Sequence, residues 1–373
     1  MRRIGTLVAG LGSLALLAGC AVPTVAGSAF PDRVHAESLR VTDERRVDVR
    51  GPVRLSPDGK RVLRLDPRLC VTDLDGSGEQ CVDDGDGDDG DGGTVRPDPL
   101  NAQWSPDSTR IVFTDDFWRQ LREPDVWVFD VRTGEVRNLT DDGVAELDLG
   151  DADPRATVDL LPSWSPDGIF VRFARGTMGA DTTSLMSLNV EHGELAGVRE
   201  VSCATPQVTA LAWSAKRVAW TCGVAEPEVR AAEVSRFREW TMLPPKGGED
   251  RTLLSYSPDG EALLVDSLAP YRSLDSDGGR ARVLPAAGGE PRPVAAGRVG
   301  FPAWVPGADA IAYVELPGTL KVVLSPLAER PAPARELRAV EGLAAPDGMR
   351  LNWGGDGLLA MRDGDPTLLT ITE

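Results

Sequence analysis

The sequence predicts an all-β protein, a β-propeller of four-stranded blades, from three observations. A turn spelled Trp-Ser-Pro-Asp at residues 104–107 returns at 164–167, with near copies at 55–58 and 256–259. A run of β-branched and apolar residues follows each copy. The residue before each serine recurs every 43–60 positions, the length of one propeller blade rather than of a helical repeat.

Ser-Pro-Asp-Gly is a type I turn written in residues. Proline fixes φ at its second position, aspartate favours the turn at the third, and glycine releases the chain at the fourth. It should join two strands, and KRVLRL (60–65), TRIVFT (109–114), IFVRFA (169–174) and EALLVD (261–266) supply the second of each pair. Degenerate copies at 212–222, 303–315 and 352–363 complete a set of anchors at Leu55, Trp104, Trp164, Trp213, Tyr256, Trp304 and Trp353. Recurring once per unit, these side chains are expected to pack between blades, and the turn aspartates Asp58, Asp107, Asp167 and Asp259 to serve the turns. A second strand pair joined by a glycine turn follows at 125–140, 184–201 and 280–295. Each blade therefore reads strand, SPDG turn, strand, variable loop, strand, glycine turn, strand.

Seven anchors predict seven blades. The degraded turns at Ala215 and Gly307 and the non-aromatic Leu55 leave six as the alternative count. The last unit supplies only three strands, so an N-terminal strand, assigned to RRVDVR at 45–50, should close the ring and remove a large exposed edge. The repeat resembles the TolB-type β-propeller repeat, related in shape to WD-type propellers, over residues 45–373. That resemblance implies architecture more than chemistry. Such repeats occur in periplasmic translocation proteins, peptidase propeller domains, sensor-associated lipoproteins and some lyases, and a fold does not fix a function.

Residues 1–19 read as a lipoprotein signal peptide. Arg2 and Arg3 precede an apolar run from 4 to 19, which ends in Leu17-Ala18-Gly19-Cys20. Diacylation of Cys20 would give the two chains that stable anchoring requires, leaving residues 20–44 as a lipidated tether. The location expected is extracytoplasmic, with the membrane engaged through Cys20. The net charge of −18, more negative once Arg2 and Arg3 are removed, argues against a nucleic-acid partner and against adhesion to anionic lipid. Hydrophobic residues make up 41% of the chain, with nine tryptophans, enough to bury a sizeable core as a monomer. Four cysteines remain beyond Cys20. In an oxidising compartment their spacing favours disulfides Cys70 with Cys81 and Cys203 with Cys222, and neither pair has the C-x2-C spacing of a zinc site.

Catalytic motifs are sparse. No G-x-S-x-G elbow occurs after residue 20, and of the two histidines His35 lies in the tether and His192 in a surface turn. The reading is therefore of a binding or scaffolding module without a catalytic residue, with a carboxylate-dependent glycan-active enzyme or an ion-sensing accessory of a membrane protein as the rivals. Residues 73–84 place Asp73, Asp75, Ser77, Gly78 and Asp84 in EF-hand-like positions but end without the bidentate glutamate. A looser calcium site at Asp84, Asp86 and Asp88 is the alternative to no cofactor at all.

The long segments at 83–98, 115–124, 141–162 and 266–279 all fall opposite the SPDG turns, and loops on a rigid scaffold carry function. Asp84, Asp86, Asp88, Asp89, Asp91, Asp141, Asp142, Asp148, Asp151 and Asp153 should make one sector of that face electronegative and suited to a basic protein partner. Phe117 and Trp118 would be its apolar anchors.

Overall fold

The computed structural model describes residues 35–65, 68–82, 97–98, 101–115, 124–143, 157–177, 180–204, 207–245, 253–266, 281–296, 299–315, 318–328, 333–339, 343–344 and 351–373. After an N-terminal strand β1 (Arg40–Arg46), blade 1 holds β2 (Val53–Leu55), β3 (Arg61–Arg64), β4 (Cys70–Asp73) and β5 (Gln80–Cys81). Blade 2 follows with β6 (Gln103–Trp104), β7 (Arg110–Thr114), β8 (Val126–Asp130) and β9 (Val136–Asn138). Blade 3 has β10 (Val158–Trp164), β11 (Phe170–Gly176), β12 (Thr183–Asn189) and β13 (Leu195–Val201). Blade 4 is β14 (Val208–Trp213), β15 (Arg217–Cys222), β16 (Glu228–Glu233) and β17 (Glu239–Leu243). Blade 5 is β18 (Leu253–Tyr256), β19 (Ala262–Asp266), β20 (Arg282–Pro285) and β21 (Arg292–Pro293), and blade 6 is β22 (Val299–Trp304), β23 (Ala310–Glu315), β24 (Thr319–Leu324) and β25 (Arg335–Ala339). Blade 7 has its inner strand in two pieces, β26 (Leu343–Ala344) and β27 (Asn352–Gly354), both paired with β28 (Gly357–Arg362), which pairs β29 (Asp365–Thr372). Every pairing within the seven sheets is antiparallel, and β1 lies outside β29 to close the ring.

The closing strand is a correction to the sequence reading. It is Arg40–Arg46, not residues 45–50, so the propeller begins inside the segment assigned to the tether. Leu39 and Val47, both essentially buried, set this register from either end of the strand. Between them an outermost strand faces solvent and needs no apolar period, so RVTDERR carries no strand signature.

Each SPDG turn closes as its residues dictate. The hydroxyls of Ser56, Ser105, Ser165 and Ser257 donate to the carboxylates of Asp58, Asp107, Asp167 and Asp259 at 2.5–2.6 Å. The same hydroxyls accept the backbone N–H five residues on, at 2.9–3.0 Å. The fourth position is left-handed, φ +73° at Gly59 and +70° at Gly168, and Ser108 takes it at +62° without the freedom of glycine.

These turns also join the blades. The indole N–H groups of Trp104, Trp164 and Trp304 donate to the carbonyls of Arg54, Gln103 and Ser255 on the preceding blade, at 3.1–3.3 Å. The guanidinium groups of Arg61 and Arg110 lie 5.9 and 5.1 Å over the rings of Trp104 and Trp164 and donate to the carbonyls of Ser108 and Gly168. An aromatic face and a carbonyl thus share one cation at each junction, worth roughly 1 kcal/mol apiece. Blade 4 departs from the pattern. Its turn is shorter, with the Ser214 N–H bonded to the Arg217 carbonyl, and Arg172 stacks on Trp213 at 4.9 Å with its Nη1 buried and unbonded.

At the closure Leu55 replaces the aromatic anchor because the backbone of blade 7 occupies the space. The Gly355 N–H donates to the Pro57 carbonyl at 2.7 Å, and a Cβ on Gly354 would sit 2.0 Å from the Ser56 carbonyl oxygen.

Candidate functional site

Chain direction sorts the loops onto two faces. Inner strands run toward the SPDG turns, so those turns and the glycine turns share one face, and the remaining connections share the other. On that loop face, at the junction of blades 2 and 3, the flanks of three long segments meet. Pro97 bridges to Asp115, the Asp98 N–H donates to the Thr114 carbonyl at 2.7 Å, and the Asp159 N–H donates to the Pro124 carbonyl at 3.0 Å.

The carboxylates of Asp125, Asp141, Asp142 and Asp159 gather there. Asp159, fully buried on β10, receives Nε and Nη2 of Arg175 on β11 at 2.7 and 2.6 Å. Asp125, at the entry to β8 and nearly buried, accepts the Thr140 hydroxyl at 3.0 Å and the Asn138 amide at 2.7 Å. The Thr140 hydroxyl in turn accepts the Val126 N–H at 2.9 Å. Asp141 and Asp142 follow on the exposed turn, where the Asp141 carboxylate takes the Gly143 N–H at 2.9 Å and that of Asp142 the Thr157 hydroxyl at 3.3 Å. Burial pushes the Asp125 and Asp159 carboxyls above the ordinary carboxylate range, against the hydrogen bonds each receives. Among the described residues Arg175 is bonded into this group through Asp159. Asp159, sealed and held by both arms of a guanidinium, braces the junction and is closed to a reacting molecule, whereas Asp141 and Asp142 present their charge to solvent.

The sequence placed Asp159 in a loop spanning 141–162, and here it is corrected: β10 begins at Val158. An aspartate and Pro162 broke the apolar pattern. The chain absorbs them with a bulge between Leu160 and Ser163, where Leu161 adopts φ +56°. Asp125, Thr140 and Arg175 were not singled out from sequence, because they are scattered along the chain and share no motif.

Of the remaining sequence-predicted residues, both disulfides form as paired, Cys70–Cys81 and Cys203–Cys222. Cys20, Asp84, Asp86, Asp88, Asp89, Asp91, Phe117, Trp118, Asp148, Asp151 and Asp153 lie outside the described residues. Within the EF-hand-like stretch 73–84, residues 73–77 form a hairpin turn, and Asp84 lies outside the described residues. The Asp73 N–H is bonded to the Ser77 carbonyl at 2.9 Å, and the Asp75 carboxylate is occupied by the Ser77 hydroxyl at 2.6 Å. Among the described residues the donor atoms close enough to share a metal ion belong to Cys70, Glu79 and Cys81, and those two sulfurs are in a disulfide. No helix among the described residues is long and apolar enough to cross a membrane.

The class defined by this architecture is the seven-bladed β-propeller, and comparison with solved structures agrees. A hydrazine synthase chain from Kuenenia stuttgartiensis matches with TM-score 0.51 and 13% identity over 87% of this chain and 97% of that one. U3-55K matches with TM-score 0.57 and 10% identity, covering 88% and 98%, and the WD40 repeats of RRP9 with TM-score 0.58 and 10% identity, covering 90% and 99%. Likeness at such identities is likeness of fold. No protein-family model and no curated protein matches the sequence.

Proposed function

We propose that this protein is a docking module of the cell envelope, held at the extracytoplasmic side of the membrane by an acylated Cys20 and binding a basic protein partner through the loop face of blades 2 and 3. The gathering of Asp125, Asp141, Asp142 and Asp159 where three acid-bearing segments enter and leave, with Arg175 bonded to the buried Asp159, carries the reading. A negative field on a rigid rim accelerates encounter with a cationic surface and sets its orientation. The WD40 repeats among the structural neighbours are consistent with a protein-binding role, and two disulfides fit an oxidising compartment.

The described chain begins on the opposite face. The His35 N–H donates to the carboxylate of Glu373 at 2.6 Å, at the end of β29 on the side of the SPDG turns. A tether leading from there to a lipid puts the turn face toward the membrane and leaves the acidic junction pointing away from it.

Paired variants test the two halves. Cys20→Ala should move the protein from the membrane fraction to the soluble one, and retention in the membrane fraction would overturn the anchoring. Neutralising Asp141 and Asp142 to Asn, with the aspartates of 84–91, should weaken partner binding and flatten its dependence on ionic strength. Binding unchanged in both respects would remove the acidic face.

A further inference from the structure

We propose that Cys70–Cys81 is a thiol-exchangeable bond, a redox site on the outer edge of blade 1, whereas Cys203–Cys222 is a permanent staple. Cys70 on β4 stands directly opposite Cys81 on β5, with their Cα atoms 3.9 Å apart. The two ends differ in access: Cys70 is fully buried, while Cys81 is partly exposed on a two-residue edge strand beside exposed Glu79 and Gln80. An incoming thiolate therefore meets the Cys81 sulfur, and Cys70 is the leaving group.

The surroundings of Cys70 suit a leaving thiolate. Nη2 of Arg64 lies 3.2 Å from its Sγ and 2.7 Å from the Glu79 carboxylate, and Nε of Arg64 is buried without a hydrogen-bond partner. A disulfide sulfur is a weak acceptor, so while the bond is intact Nη2 is held chiefly by the Glu79 carboxylate and Nε is left unbonded. A thiolate is charged and accepts strongly. The guanidinium thus stabilises a species that exists only once the bond has opened, which makes Cys70 the better leaving group. At the other bond access is split in the same way, Cys203 buried and Cys222 partly exposed, and the difference lies in what stands beside the buried sulfur. Cys203 is buried, packed in the apolar cluster around Trp220 and Leu185, and its sulfur faces the Ala204 carbonyl oxygen at 3.9 Å, a neighbour that opposes negative charge.

The reductant required is a dithiol. Its first sulfur, as thiolate, attacks Sγ of Cys81. The S–S bond breaks, its electron pair goes to Sγ of Cys70, and a mixed disulfide remains at Cys81. The second thiol of the reductant gives up its proton and attacks its own partner sulfur, expelling Cys81 as thiolate. The dithiol leaves oxidised to a disulfide, the protein gains two electrons, and the two protons of the dithiol pass to solvent or to the cysteine sulfurs.

The experiment treats the folded full-length protein with graded dithiothreitol, traps free thiols by alkylation and maps them by mass spectrometry. Cys70 and Cys81 are expected to be alkylated at least about tenfold faster than Cys203 and Cys222. Arg64→Gln should slow opening of Cys70–Cys81 by roughly three- to tenfold, and Arg64→Lys should recover part of the rate. Loosening of the fold accelerates reduction, so a slower Arg64→Gln cannot come from misfolding. Equal rates for the two bonds, or an Arg64→Gln rate that is unchanged or raised, would overturn the assignment.

Discussion

Asp159→Ala is expected to destabilise the protein by about 3–5 kcal/mol, the cost of removing one member of a buried ion pair. The carboxylate is fully buried, and Arg175, whose side chain is 23% exposed, loses both of its charge-assisted bonds at the junction of blades 2 and 3. Equilibrium unfolding in urea measures the effect, as a lower midpoint at unchanged slope. Replacing both partners by apolar residues, Asp159→Leu with Arg175→Met, should recover most of the loss, because no charge is then stranded. A cost below about 1 kcal/mol for Asp159→Ala would mean that solvent reaches Arg175 and that the brace is not one. The pH dependence has two signs. Burial raises the folded pKa of Asp125, so its contribution to stability grows as pH falls through that raised value. The Ser257 hydroxyl lowers that of Asp259, so its contribution is present above the ordinary carboxylate value and is lost on acidification.

Gly354→Ala is expected to cost roughly 2–4 kcal/mol, read as a fall of several degrees in Tm. Its Cβ would lie 2.0 Å from the Ser56 carbonyl oxygen and 2.8 Å from Cγ of Leu55, and the oxygen belongs to the backbone of blade 1. Only separation of blades 7 and 1 at the ring closure relieves that contact. Gly134 makes the comparison, since its Cβ would meet nothing within 4 Å and only its φ of +78° resists substitution. Gly134→Asn should cost about 1 kcal/mol or less. Equal effects at the two positions would show that blades 7 and 1 approach less closely than this.

What was legible in the sequence follows from what repeats. The Ser-Pro-Asp turn and the aromatic before it recur because each blade needs the same corner and the same filler against its neighbour, and so the blade architecture could be read directly. Both cysteine pairs were legible for a similar reason, each enclosing a short stretch of chain that folds back as one hairpin. Departures from the repeat were harder. Leu55 is explained only by the approach of Gly354, almost three hundred residues away. The closing strand was placed too late because an outer strand carries no apolar period, and Asp159 was assigned to a loop because a buried aspartate looks like surface until its arginine is found. Arg172, left with an unbonded Nη1 over Trp213, marks where blade 4 lost two residues from its turn. The acidic junction was half legible: the charge of Asp141 and Asp142 was visible, but the buried pairs beneath them were not.

The docking claim is tested most directly by a photoreactive amino acid placed in the lipidated protein in its own membrane, at position 142 on the loop face or at position 192, where exposed His192 marks the turn face. The account predicts a discrete partner adduct from position 142, lost when Asp141 and the aspartates of 84–91 are neutralised, and contact with lipid or nothing from position 192. A partner adduct from 192 and none from 142 would contradict it.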